Sequence, residues 1–244
     1  MARRADRPVL ALVPARGGSK GLPRKNLQLL AGATLLEHAV RFAQACGSVG
    51  RVVVSTDSEE IADAARAAGA DVPFLRPGEL AADETPMWPV VVHALDQVDA
   101  RGEKWEFLLL CDPTAPVRSP DDVSAALDRL RDDPDAAGIV SVAEPGFNIV
   151  WQSVVEENGY MVHLVHEGAR ATRRQDAPPV RYIDGSFYLW RTAFVRTGRD
   201  SWFEGRTLTH LVESEGTIDT MEELRRLETL VDARVVTVPW LEQL

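Results

Sequence analysis

The chain has 244 residues, with 37 acidic and 27 basic side chains and a formal net charge of −10. That balance excludes a general nucleic-acid binder, which needs a basic face, but it leaves room for a small anion in a local basic pocket. Two cysteines, Cys46 and Cys111, make no disulfide framework and point to a reduced, cytoplasmic protein. The charged start leads into an apolar run too short for a signal peptide or a membrane span, so no membrane partner is expected.

Val9-Leu10-Ala11-Leu12-Val13 reads as a buried strand. It runs into Pro14-Ala15-Arg16-Gly17-Gly18-Ser19-Lys20-Gly21-Leu22-Pro23-Arg24-Lys25-Asn26, a loop with three glycines, four cations and two prolines. Apolar residues at helical spacing predict a helix over 34–46, ended by Gly47 and Gly50. Arg51-Val52-Val53-Val54-Ser55 is a second strand, and Thr56-Asp57-Ser58 caps a second helix. Asp71-Val72-Pro73-Phe74-Leu75 reads as a short third strand, followed by a loop over 76–86 and a helix from Met87 to Asp99. Phe107-Leu108-Leu109-Leu110-Cys111 is the most continuous apolar strand and belongs at the centre of the sheet. Ser119 or Asp121 caps a helix that runs to Arg131, and Ile139-Val140-Ser141-Val142 is a further strand. This alternation predicts one α/β domain over 1–244 with a parallel sheet.

The rhythm then changes. Residues 144–185 read as an inserted hairpin unit, with alternating pieces and the basic stretch Arg170-Ala171-Thr172-Arg173-Arg174-Gln175-Asp176. Gly185-Ser186-Phe187-Tyr188-Leu189-Trp190 returns to strand. Thr220 and Glu223 make a capping box for a helix over 221–230, and Arg234-Val235-Val236-Thr237-Val238 predicts a last strand.

The loop after the first strand carries the functional signal. Glycines bring backbone amides close to a ligand, and Arg and Lys neutralise phosphate. The end of a first strand is where an open α/β sheet binds phosphates. Neither the Walker A spacing nor the dinucleotide fingerprint is present. Arg16 and Lys25 are the expected phosphate ligands, with Gly17, Gly18 and Ser19 as donors. Lys20 and Arg24 either share that task or are solvated flanks. His163 and His166 are too few for a metal site, and no Ser-His-Asp arrangement is apparent.

Six pieces, in order, resemble the cytidylyltransferases that activate acidic sugars, the acylneuraminate (CMP-sialic acid) synthetases and their CMP-ulosonate relatives. They are the loop above, Val54-Ser55-Thr56-Asp57, Arg76-Pro77-x-Glu79-Leu80-Ala81-x-Asp83, Pro113-Thr114-Ala115-Pro116-Val117-Arg118, Arg173-Arg174-Gln175-Asp176-x-Pro178 and Ile218-Asp219-Thr220. The resemblance implies a Rossmann-like nucleotidyltransferase, dimeric through the inserted hairpin. It implies transfer of CMP from CTP to an acidic acceptor, with a divalent metal, usually Mg2+. It adds Ala15, Asn26, Asp83, Asp112 and Thr114 to the nucleotide set, Asp219 as catalytic metal ligand, and Arg174, Gln175 and Tyr188 as acceptor contacts. Alternatives stand beside these roles. Asn26, Asp83 and Asp219 also suit caps, Asp112 suits a turn, and Arg174 suits a solvated surface. Asp112 is the second metal candidate, because this chain has Thr217-Ile218-Asp219 where the family shows Asp-Ile-Asp.

Two other departures touch the acceptor. The family's Asn-Gly before the aromatic strand is Asp184-Gly185, and Gly146-Phe147-Asn148-Ile149 lacks the lysine that sialate synthetases often carry there. The acceptor is therefore a sialic-acid-like or other ulosonic acid, or, under drifted acceptor motifs, a small phosphonate. A nucleotide-binding dimer without catalysis is the third reading.

Overall fold

The computed structural model describes residues 8–19, 21–166, 170–171, 173–197, 205–238 and 240. Its frame is a six-stranded sheet. In chain order its strands are β1 (Val9–Pro14), β4 (Val49–Ser55), β5 (Phe107–Leu110), β6 (Gly138–Ala143), β9 (Tyr182–Arg191) and β10 (Thr207–Leu211). The spatial order is β10-β6-β9-β5-β1-β4. β9 runs antiparallel to both neighbours, while the other pairings are parallel. The mostly parallel sheet expected from the alternation is present, with β5 in its interior.

The sheet is covered on both faces, which is why its inner strands are apolar throughout. Val9, Ala11 and Val13 of β1 point into one cluster with Phe107 and Leu109 of β5. Leu10 and Leu12 point the other way, with Leu108 and Leu110. The first face is packed by α1 (Leu35–Ala45), α2 (Glu59–Ala67) and α4 (Pro120–Asp132), and the second by α3 (Met87–Asp99) and α6 (Thr192–Val195). Each such buried Leu or Phe contributes about 1.5–3 kcal/mol. Helix starts follow their sequence signals. Thr34 and Glu37 close a capping box on α1, Ser58 caps α2, and Ser119 caps α4. His38 of α1 is buried, joined to Leu30 O at 2.8 Å, and accepts from Trp240 Nε1 at 3.0 Å. That contact pins residue 240 into the core.

Smaller elements complete the frame. β2 (Leu29–Leu30) and β3 (Ala33–Thr34) form a tight hairpin before α1. α5 (Ile149–Gln152) precedes β7 (Val154–Glu157) and β8 (Tyr160–His163), which pair as an antiparallel hairpin inside the stretch expected to hold one. α7 (Met221–Asp232) carries the Thr220–Glu223 capping box.

Two expectations are corrected. The strand over 71–75 shrinks to one bridge, Val53 to Asp71, because Pro73 has no N–H to continue a ladder. The strand expected over 234–238 does not form. Its alternate valines, Val236 and Val238, are buried, but among the described residues the segment pairs with no strand. The edge strand β10 was not foreseen, and it lies parallel to β6.

Candidate active site

The chain goes from β1 to β4 on one side of β1 and then crosses to β5 on the other. The carboxyl ends of β1 and β5 therefore flank a topological switch point, where open α/β sheets open a ligand crevice. Pro14 ends β1 there, and Cys111-Asp112 follows β5.

The loop at that crevice is fixed by hydrogen bonds to distant segments. Ala15 is buried and its N–H donates to Ser55 O at 3.0 Å. The Gly17 N–H donates to Asp57 Oδ1 at 2.9 Å. Asn26 is buried, and its Nδ2 donates to Arg16 O at 3.0 Å, so this amide buckles the loop rather than capping a helix. The Ser19 hydroxyl donates to Leu22 O and accepts from Lys25 N at 3.2 Å. Gly18 lies in open space. Lys20 lies outside the described residues.

The cations of the loop meet carboxylates. Arg16 Nη1 lies 2.7 Å from Asp83 Oδ1, and Lys25 Nζ donates to Asp219 Oδ1 at 2.8 Å. Arg24, in left-handed backbone at φ 52°, pairs with Glu60 on α2 and turns away from Lys25's partner. A pocket of about 230 Å³ is lined by Arg16, Gly18, Ser19, Lys25, Asn26 and Asp219.

Asp83 reaches Arg16 because a residue with no role assigned in the sequence fastens its loop. Arg76 is buried, and its guanidinium donates to Ser55 Oγ at 3.1 Å, to Ser55 O, and to Leu80 O at 3.4 Å. Burial lowers its pKa to about 10, with Asp57 opposing and Arg16 adding to the shift, so it stays a cation at neutral pH. The start of α3 falls to Pro86, which leaves Asp83 to the arginine.

Asp219 is positioned by its neighbours. Ile218 is buried in a cluster with Leu22, Leu224 and Leu227. Its N–H donates to Thr114 O at 2.8 Å, tying this segment to the turn of Asp112. Thr220 takes the cap of α7, and the Asp219 N–H donates to Glu223 Oε2 at 2.8 Å. Its carboxylate is thereby left to Lys25 and to Thr217, whose hydroxyl donates to Oδ2 at 3.3 Å. Gly21 must be glycine for this approach, since a Cβ there would lie 2.6 Å from Asp219 O. Asp112 Oδ1 accepts from Thr114 N at 3.0 Å and Thr114 Oγ1 at 2.9 Å, a turn-stabilising arrangement.

A cytidylyltransferase sequence profile matches residues 10–238. The chain belongs to the cytidylyltransferase family. It is 35% identical over 154 residues to the CMP-N,N'-diacetyllegionaminic acid synthase of Legionella pneumophila, across 63% of this chain and 66% of that one. It is 28% identical over 180 residues to the pseudaminic acid cytidylyltransferase of Campylobacter jejuni, across 74% and 77% of the two chains. Thus the match spans just under two thirds of the Legionella enzyme. The solved CMP:2-keto-3-deoxy-manno-octonic acid synthetase complexed with CTP matches 93% of this chain and 99% of its own, with a TM-score of 0.72. At 18% identity that likeness shows the fold.

Among the described residues, no group of three or more His, Cys, Asp or Glu forms a ready metal cage. A cytidylyltransferase site asks for less, because Mg2+ commonly takes one or two carboxylates plus substrate phosphates and water. Asp219 fits that requirement, with its side chain 63% exposed beside the loop after β1.

The acceptor-side residues are more scattered. Tyr188 on β9 lies opposite Leu110 and Val140 and stacks on Trp190 at 5.6 Å. Burial raises its pKa to about 12, helped by Asp112 and Asp184. Gln175 is exposed in a short turn, Arg174–Asp176; the Arg174 side chain lies outside the described atoms. Its neighbour Arg173 grips Asp176 at 2.8 and 3.0 Å. Gly185, at φ 83°, brings β9 against Thr217, where a Cβ would lie 3.2 Å from Cγ2.

No helix among the described residues is long and apolar enough to cross a membrane.

Proposed function

We propose that this cytidylyltransferase transfers CMP from CTP to an acidic small molecule and releases pyrophosphate. The observation that carries the reading is the convergence of Arg16, Lys25 and Asp219 on one pocket at the switch point. An acceptor oxygen attacks the α-phosphorus, a new P–O bond forms, and the bond to pyrophosphate breaks. Negative charge builds on the leaving phosphates, so catalysis depends on cations and oriented donors already in place. Arg16 and Lys25 supply the cations. Ala15, Gly17, Gly18 and Ser19 shape the backbone around the phosphates. Asn26 fixes the loop, while Asp83 and Thr114 hold its borders. Asp219 would hold Mg2+, with Asp112 as second carboxylate. When bound, the ion neutralises phosphate charge.

The acceptor is a sugar acid of the ulosonic type, contacted by Arg174, Gln175 and Tyr188. The names of the Legionella and Campylobacter relatives, both built on acids, support that class. The hairpin β7–β8 exposes Val154, Val155, Tyr160 and Met161, which supports a homodimer joined through it. The buried free thiols Cys46 and Cys111 support a reducing, cytoplasmic setting. A small phosphonate is the second reading, which rests on the drifted acceptor motifs: Asp184-Gly185 in place of Asn-Gly, and no lysine in Gly146-Phe147-Asn148-Ile149.

Pyrophosphate release from CTP over a panel of sialic acid, Kdo and phosphonates tests the reading. Turnover with a sugar acid is expected. Turnover with phosphonates alone favours the second reading, and tight CTP binding without any turnover overturns transfer.

A further inference from the structure

Arg118 is a buried cation with no place in the chemistry described above. Its side chain leaves the Pro113–Arg118 turn, lies 4.3 Å from the centre of the Phe42 ring, and donates through Nη1 to Ser186 O at 2.9 Å. Nε and Nη2 have no hydrogen-bond partner among the described residues. A buried guanidinium needs an opposite charge nearby.

The groups that bear on it are Cys111, Asp112, Cys46 and Asp184. Burial pushes both thiols well above neutrality, so the counter-charges are carboxylates. Asp112 bears on it more than Asp184 does, but Asp112 is half-buried and belongs to the turn, where Oδ1 accepts from Thr114 N and Oγ1, whereas Asp184 is fully enclosed. Asp184 is 3% exposed, accepts from Ser186 Oγ through Oδ2, and has no partner at Oδ1 among the described residues. Ser186 thus touches both ends: its carbonyl takes Arg118, and its hydroxyl holds Asp184.

We propose that Arg118 is a positioning residue for the acceptor side: acting through Ser186 as the counter-cation of Asp184, it fixes the half of β9 that leads to Tyr188. No direct ion pair joins the two; Ser186 bridges them inside the protein, where removing one charge leaves the other less compensated and removing both relieves that imbalance. The acceptor consequence rests on the CMP-transfer reading; the pairing does not.

Urea unfolding of Arg118→Met, Asp184→Asn and the double variant tests the pairing without any substrate. The folding equilibrium constant should fall at least about 100-fold in Arg118→Met, and Asp184→Asn should recover at least about tenfold of that loss. Additive losses would overturn the pairing and leave Arg118 as a brace for Phe42 and β9. Arg118→Lys, which keeps the charge, is the milder variant should Arg118→Met fail to fold, and it should also regain stability relative to Arg118→Met/Asp184→Asn only while Asp184 is present.

The positioning role is read with the panel acid that gives most turnover. In Arg118→Met its KM should rise at least about tenfold, while kcat and the Kd of CTP change by less than about threefold, and Arg118→Lys, which keeps the charge, should hold KM within about threefold of wild type. A kcat loss with KM unchanged would overturn it. If wild type turns over no acid, the CMP-transfer reading and the positioning role fall together, and the unfolding cycle still decides the pairing.

Discussion

The carboxyl edge of the sheet has two halves that are built differently. On the half proposed for the nucleotide, the loop after β1 is tied to β4, to the 76–83 loop and to the start of α7. It is tied through Ala15, Gly17, Asn26, Arg16 and Lys25. Leu22 and Ile218 plant both walls in one apolar cluster. On the half proposed for the acceptor, Gln175 is exposed and the hairpin β7–β8 projects apolar side chains, with β9 alongside. The difference follows from the ligands. In the proposed transfer CTP is the fixed substrate, so its site can be preorganised by backbone bonds that cost nothing at the moment of binding. An acceptor varies, and surface elements can change around it without unfolding the sheet.

Arg16→Ala strikes the rigid half and should give the largest effect. Loss of a preorganised cation on the phosphates lowers turnover by about 10²–10³-fold. Its partner pair with Asp83 is about one third exposed, so stability should change by less than about 1 kcal/mol. Pyrophosphate release and a urea titration on the same preparation separate the two. Near-normal release would remove Arg16 from the phosphate site and erase the contrast between the halves.

The same contrast decides what could be read from residues alone. β1 and β5 were legible because burial on both faces forces unbroken apolar runs. The Thr220–Glu223 box was legible because it is a local pattern of side chain and backbone. β10 was not, since Thr207-Leu208-Thr209-His210-Leu211 becomes a strand only beside β6. The valines at 236 and 238 show the reverse, an alternation that buries side chains without a ladder. In the site, the concentration of glycines and cations in the loop was legible from its composition. Its anchors were not. Asp57 meets Gly17 across 40 residues of sequence, and Arg76 and Arg118 act through carbonyls and hydroxyls that no spacing reveals.

Gly21→Ala probes how tightly the two walls of the nucleotide half are joined. The new methyl carbon would stand 2.6 Å from Asp219 O, and backbone cannot swing aside as a side chain does. Overpacking of this kind costs about 1–3 kcal/mol. It also displaces Lys25 or Asp219, and sub-ångström displacement should lower turnover about tenfold. Denaturation and steady-state rates report the two consequences. An alanine variant with both values unchanged would mean that the walls part freely and that Lys25 and Asp219 are not held in register.

Tyr188→Phe addresses the looser half and should give the smallest effect. The ring keeps its stack on Trp190 and its place between β5 and β6, so unfolding should move by no more than about 1.5 kcal/mol. The hydroxyl is what changes. Its pKa, raised to about 12, keeps it protonated across the working range, so in the proposed site it would meet the acceptor as a neutral donor or acceptor. Loss of one such bond should raise the acceptor KM about threefold to tenfold. The Kd of CTP should stay within about twofold, because the loop after β1 makes its own contacts. Equal losses for CTP and acceptor would show that β9 serves both ligands, and the two halves would then be one site with a single rigidity.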